Sequence, residues 1–127
     1  MQIEGGNRRL SFVCIHNDWT KEEIRVAQVT DLIKALEGRE HPVILAGGFN
    51  ALPDAESMEL VREAGFVDLK KDGPAATFPS DKPKVEIDHI LVRGLNFDEA
   101  PMTKVHDEPL VSDHCPIFSV VPVPVGQ

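Results

Sequence analysis

From Arg8 to His16 the chain sets Leu10, Phe12 and Cys14 on one side and Val13 and Ile15 on the other. Side chains of a strand alternate between its two faces, so this pattern predicts a strand that is apolar, and therefore covered, on both. From Thr20 the period changes: Ile24, Ala27, Val29, Leu32, Ile33 and Leu36 recur at helical spacing and predict an apolar stripe on a helix over 20–37. Thr20 with Glu23 fits a capping box, and Gly38 stands where a helix can end in the left-handed conformation. The apolar run 43–46 predicts a second buried strand. Strand, helix and strand in that order imply two parallel strands joined by a right-handed crossover. Asp54 is placed to cap a second helix running to Ala64 and stopped by Gly65. Residues 66–69 suit a short strand or turn, and 70–84 form a loop rich in Gly, Pro and Asp. Residues 87–93, 102–105 and 116–121 read as three further strands. Proline lacks an amide donor, so the tail Pro122-Val123-Pro124-Val125 belongs at a sheet edge or off the sheet. Residues 1–9 are polar and glycine-bearing, a leader with no strand of its own. The predicted class is mixed α+β.

Composition adds bounds. With 127 residues, 42% apolar and 27% charged, the chain is a single domain over 1–127 that can bury a core. No run of 18 apolar residues spans a membrane, and the leader lacks the apolar stretch of a secretory signal, so a cytoplasmic location is expected. Net charge is −8, and the richest basic stretches, Arg8-Arg9 and Lys70-Lys71, are only pairs. Tight nucleic-acid binding, which draws on a basic patch, is therefore not expected; metal chemistry or a small substrate suits this balance better. Cys14 and Cys115 make no disulfide framework and are expected to be buried and inert.

Polar residues gather where strands end. His16 closes the first strand and Gly47-Gly48-Phe49-Asn50 the second, so parallel pairing puts them on one rim. Asp88 opens a later strand, and Ser112-Asp113-His114 opens the last. If those strands run opposite to the first pair, their starts share the same rim. Each residue alone has an ordinary reading: a surface or core histidine, turn chemistry for Asp and Asn. Taken together they favour a polar cleft built from His16, Asn50, Asp88, Asp113 and His114.

The segment Ile44-Leu45-Ala46-Gly47-Gly48-Phe49-Asn50-Ala51-Leu52-Pro53 resembles the Gly-Asp-Phe-Asn signature of the endonuclease/exonuclease/phosphatase (DNase I-like) superfamily. Ile87-Asp88-His89-Ile90 resembles its Ile-Asp-Tyr-Ile strand, and Ser112-Asp113-His114-Cys115-Pro116 its Ser-Asp-His-x-Pro motif. Cys14-Ile15-His16, followed by Arg25 and Gln28 on the next helix, and Thr77-Phe78-Pro79 are similar to further elements of the family. The motifs occur in family order over nearly the whole chain. The resemblance implies the C-terminal half of a four-layer α-β-β-α sandwich: a mixed sheet with helices on one face.

It also implies roles. His114 would bind the scissile phosphate and stabilise charge built in the transition state, with Asp88 fixing its tautomer. Asn50 would orient the attacking water or a phosphate oxygen, His16 would be a second phosphate contact, and Asp113 would help hold Mg2+ or Mn2+. Two departures matter. The family places an aspartate, which positions or activates water, where this chain has Gly48. The family domain is also about twice as long, and its first half supplies an asparagine and a glutamate to the metal; nothing before His16 replaces them. The expectation is a metal-dependent phosphoester hydrolase domain, weak or inactive alone; the alternative is a non-catalytic phosphate-binding or interaction module that keeps the fold. The expected partners are a phosphoester substrate and either a second copy of the chain or a complementary N-terminal-half chain.

Overall fold

The computed structural model describes residues 2–5 and 8–123. Seven strands and two helices follow one another as β1 (Gln2–Gly5), β2 (Arg8–His16), α1 (Glu22–Ala35), β3 (Val43–Gly48), α2 (Glu56–Glu63), β4 (Val67–Asp68), β5 (Asp88–Arg93), β6 (Thr103–Val105) and β7 (Ile117–Ser119). Five of the strands form one mixed sheet in the order β1-β2-β3-β5-β4, and β6 and β7 form a separate antiparallel pair. The expected strand β2 is present with its predicted bounds. It lies parallel to β3, and β5 lies antiparallel to β3, as the shared rim requires.

Both helices cover one face. Val29 and Leu36 of the α1 segment and Met58 and Val61 of α2 pack with Val43, Leu45 and Leu91, and Val13 and Ile15 join them. The alternate residues Leu10, Phe12, Ile44, Ala46, Ile90 and Val92 lie on the opposite face. The period-two reading of β2 thus assigns its apolar side chains to their sides correctly. The fold is the expected α+β half-sandwich with helices on one face.

Several local expectations are corrected. The polar leader is not structureless: Gln2–Gly5 pairs antiparallel with β2, Gln2 opposite Ser11 and Gly5 opposite Arg8. Thr20 does not cap α1. Its N-terminal turn is organised by Asp18, whose Oδ1 accepts from the amides of Thr20 and Lys21 and from the Thr20 hydroxyl. A shorter carboxylate two residues earlier reaches those amides directly, and so displaces the capping box. Ile24 and Ala27 are exposed, and the inward face is made by Val29 with Leu32, Ile33 and Leu36. Asp54 does not cap α2 either: Ala55 occupies that position without a side-chain bond, and Glu22 of α1 accepts from the Ser57 amide instead. One helix thereby caps the other. Burial raises the Glu22 carboxyl, yet hydrogen bonds from Ser57 and Arg25 outweigh it and leave the group below its ordinary value. Cys115 is buried as expected, but Cys14 is exposed.

The face away from the helices is covered only in part. Ile117 and Val121, with Leu95 and Phe97, pack against part of it, so the β6–β7 pair supplies a partial second layer. What stays open is an apolar groove of about 550 Å³ lined by Leu10, Phe12, Cys14, Phe118 and Val123 among others. Pro122 and Val123 lie off the sheets, as expected; Pro124 and Val125 of the same expectation fall outside the described residues. Among the described residues no helix is long and apolar enough to cross a membrane.

His89 on β5 is fully buried, edge-on to Phe49, and its Nε2 donates to the Ala51 carbonyl at 2.8 Å. Burial, the dominant cause, pushes its pKa down despite the hydrogen bond to Ala51 and the carboxylates of Asp68 and Glu86; Lys71 adds to the depression. The folded state therefore keeps His89 neutral at a pH where the unfolded chain takes up a proton. Stability from this source is complete above the ordinary histidine pKa of about 6.5 and falls as pH drops below it, by up to about 1.4 kcal/mol per pH unit. The urea midpoint should fall between pH 7 and pH 5, and the fall should be shallower in His89→Gln. Equal slopes in the two proteins would show that His89 is not the group responsible.

Candidate active-site cleft

The carboxyl ends of β2 and β3 and the amino end of β5 meet at one rim. Gly48 stands between His16 on one side and Asp88 on the other in the strand register. A cleft of about 870 Å³ opens there, and His16, Asn50, Asp88, Asp113 and His114 all line it. The residues expected at the site are thus brought together, although β7, which His114 precedes, is not in the main sheet as the shared-rim argument had assumed. The loop before β7 does the work. The Asp113 carbonyl accepts from the Ser80 amide at 2.8 Å, the Ser112 carbonyl from the Ser80 hydroxyl at 2.6 Å, and the Cys115 amide donates to the Thr77 carbonyl at 2.7 Å. These bonds fasten the loop to the strap around Thr77 and hold His114 over the end of β5.

Asp88 is the hub. The His114 Nδ1–H donates to its Oδ2 at 2.8 Å and lies 3.1 Å from Oδ1; the Thr77 hydroxyl donates to Oδ2 at 2.6 Å. Its backbone carbonyl accepts from Lys71 Nζ at 2.7 Å. With Nδ1 committed to Asp88, Nε2 is the ring nitrogen that His114 presents elsewhere. Phe78 packs on the His114 ring at a centroid distance of 5.0 Å and limits its rotation. Lys71 was read only as part of a basic pair; its ammonium is buried against Glu86 at 3.0 Å. A lone lysine in a loop carries no sequence signal for such a role. Thr77 was legible as part of Thr77-Phe78-Pro79, though its contact with Asp88 was not.

Asn50 sits in the left-handed region with φ 52, donates through Nδ2 to the Asn17 carbonyl at 2.7 Å, and receives no turn from a glycine at its own position. The loop after His16 is held from every side. The Asn17 amide donates to the Gly48 carbonyl, the Asp18 amide to Gln28 Oε1, and Arg25 Nη1 to the Asp18 carbonyl. Arg25 and Gln28, noted for their spacing, therefore serve to position this loop. The Thr20 hydroxyl, followed by the Lys21 amide, holds the Asp18 carboxyl below its ordinary value.

The two central glycines differ. A Cβ on Gly47, at φ 144, would lie 2.0 Å from the Ile15 carbonyl oxygen, so this position excludes any side chain. A Cβ on Gly48 would meet Asp88 Oδ1 and His16 Cδ2 at 3.4 Å, an ordinary contact, and would enter the cleft. The backbone there leaves room for a Cβ.

The metal expectation fares differently. Among the described residues no group of three or more His, Cys, Asp and Glu side chains could hold a metal ion. Asp113 lines the cleft, while Asp88 is already committed to His114 and Thr77.

Gly47→Ala should lower the thermal midpoint sharply or prevent folding, since its carbon overlaps backbone. Gly48→Ala should leave the midpoint within a few degrees of the parent, or raise it slightly. Thermal melts followed by circular dichroism compare the two; equal losses would mean that Gly48 is also held by packing.

No curated protein matches the chain. Solved structures do. A functionally unknown conserved protein from Enterococcus faecalis is 28% identical, with a TM-score of 0.78 over 91% of this chain and 51% of its own. A mannosyl-6-phosphatase from Bacteroides thetaiotaomicron is 20% identical, with a TM-score of 0.68 over 91% of this chain and 53% of its own. A beta-toxin variant from Staphylococcus aureus, crystallised with magnesium ions, is 14% identical, with a TM-score of 0.70 over 93% and 55%. The chain spans about half the length of each. The family model for the endonuclease/exonuclease/phosphatase family matches residues 4–114, a stretch that contains the β2 histidine, the glycine pair, Asp88 and His114, and the chain belongs to that family.

Proposed function

We propose that this chain is the site-bearing half of a phosphoester hydrolase, able to bind a phosphate ester but nearly inert in turning it over alone. The observation that carries this reading is the Asp88–His114 pair at 2.8 Å, set in one cleft with His16 and Asn50 beside an empty side-chain position at Gly48. His114, held through Nδ1–H by Asp88, would in its doubly protonated form donate from Nε2 to a phosphate oxygen and stabilise charge developing there. His16 would contact a second oxygen, and Asn50 would orient the ester or a water. No carboxylate occupies the Gly48 position to position the water. In the family's chemistry Asp113 would contribute to Mg2+ or Mn2+ binding, but the other donors must come from outside these residues.

The same reading calls for a partner. Among the described residues β7 pairs with β6 alone, and the groove beside it is apolar. Solved relatives carry a further stretch of chain as long as this one. A complementary N-terminal-half chain would cover the groove and bring metal donors; a second copy of this chain would cover it without them. A purely phosphate-binding module is favoured over an enzyme by one feature, the glycine at position 48.

Nuclear magnetic resonance should show the His16 and His114 ring signals shifting as glycerol phosphate is added, and His114→Ala should weaken binding at least about tenfold. Hydrolysis of bis(4-nitrophenyl) phosphate with Mg2+ should stay close to the uncatalysed rate, since a missing positioned base costs ~10²–10⁴. Gly48→Asp should raise it only after a complementary half is added. Efficient Mg2+-dependent turnover by the 127-residue chain would refute the reading of an incomplete site.

Light scattering at tens of micromolar should give a mass above one chain, and Phe118→Lys, at a half-exposed groove position, should return it to one. A monodisperse monomer would show that the groove needs no cover.

A further inference from the structure

The cleft holds one large side chain that the phosphate chemistry does not use. Trp19 is 79% exposed yet lines the same cleft as His16, Asn50 and His114. An indole buries more apolar surface than almost any side chain when it can, and Trp is rarely left this open by a fold. Nor is it exposed because its loop is loose. The flanking residues are fastened by the Asp18 carboxylate to Thr20 and Lys21, by Gln28 to the Asp18 amide, by Arg25 to the Asp18 carbonyl, and by Asn50 to the Asn17 carbonyl. A rigid support presents an unburied aromatic ring beside the two histidines.

The rest of the lining shows what that ring would meet. Among the described residues no Lys or Arg lines the cleft, so a phosphate is met there by two histidines and an amide. Phe78, Val85 and Ile87 give the cleft an apolar stretch of wall, beside the polar Asp88, Ser112 and Asp113. A ligand that is only phosphate and polyol would leave these surfaces unused. A flat ring carried by the ester's organic group would use them.

We propose that Trp19 is a stacking platform that makes this cleft selective for phosphate esters carrying a planar ring, an aryl group or a nucleobase, over ring-free esters. The inference rests on the phosphoester reading of the cleft. The acidic chain, with no basic patch, favours a small ester over a polynucleotide. Stacking on a face-exposed aromatic side chain is tolerant of ring identity, so it sets a class of ligand and not one compound.

The sequence holds one Trp and no Tyr, so intrinsic fluorescence reports on Trp19 alone. Phenyl phosphate, adenosine monophosphate and glycerol phosphate are titrated into the chain, with affinity measured in parallel by calorimetry. Both ring-bearing esters should quench the emission and bind roughly tenfold or more tightly than glycerol phosphate, in the range that aromatic stacking supplies. Trp19→Phe should keep most of that preference, and Trp19→Ala should bring the affinity ratio to about one. Phenyl phosphate and adenosine monophosphate binding alike points to any flat ring; preference for the nucleotide points to a base. Equal binding of all three esters, or a preference that survives Trp19→Ala, overturns the stacking role and leaves the phosphate reading standing. Binding of none overturns both. A blue-shifted emission in the free protein, showing the indole already covered by another protein surface, overturns the stacking role as well.

Discussion

A carboxylate as secluded as that of Asp88, which is 8% exposed, is costly unless donors meet its oxygens. Those donors come from far along the chain: Thr77 from the strap before β5 and His114 from the loop before β7. Lys71 reaches the carbonyl of the same residue from the segment after β4. Satisfying one residue thus fixes the relative positions of two connecting segments, the one between β4 and β5 and the one between β6 and β7. The site and the stability of its surroundings are the same set of bonds, which is why the histidine that would touch phosphate is also the one that closes the fold around Asp88.

The second constraint is the narrow centre of the sheet. At Gly47 the β2 backbone approaches too closely for any Cβ, and one residue later the backbone relaxes and the same strand faces the cleft. Adjacent glycines therefore do opposite things. The first is demanded by packing between strands. The second is demanded by nothing in its neighbourhood, so its lack of a side chain is a chemical fact about the site and not a mechanical one. Asn50 then turns the chain in the left-handed region and ties it to the loop after β2.

Around this centre the two faces of the sheet are unequally treated. The helix face is complete, with α1 and α2 locked together through Glu22, which accepts from α2 and from Arg25. The other face has only the short β6–β7 pair over part of it, and a two-strand pair has little independent stability. The open apolar groove lies on that second face.

The sequence by itself determined the alternation of β2, the parallel strand–helix–strand unit, the two-sided burial of the sheet and the cluster of polar residues at strand ends. Each of these depends on local periodicity, and alternation at period two or 3.6 follows from backbone geometry alone. The motifs Ile87-Asp88-His89-Ile90 and Ser112-Asp113-His114-Cys115-Pro116 were legible for the same reason: their residue types and spacing are local. The tertiary structure decided what depends on partners remote in sequence. It made Asp18 and not Thr20 the organiser of the first helix, and gave the cap of α2 to Glu22. It turned the polar start of the chain into an edge strand, because β2 offered an unpaired edge to bond. It also buried Lys71 behind Asp88, left Trp19 in the open, and showed that Gly48 has room for a side chain where Gly47 has none. Those outcomes turn on which backbone donors, acceptors and empty volumes meet in space, and no window along the chain contains both members of such a pair.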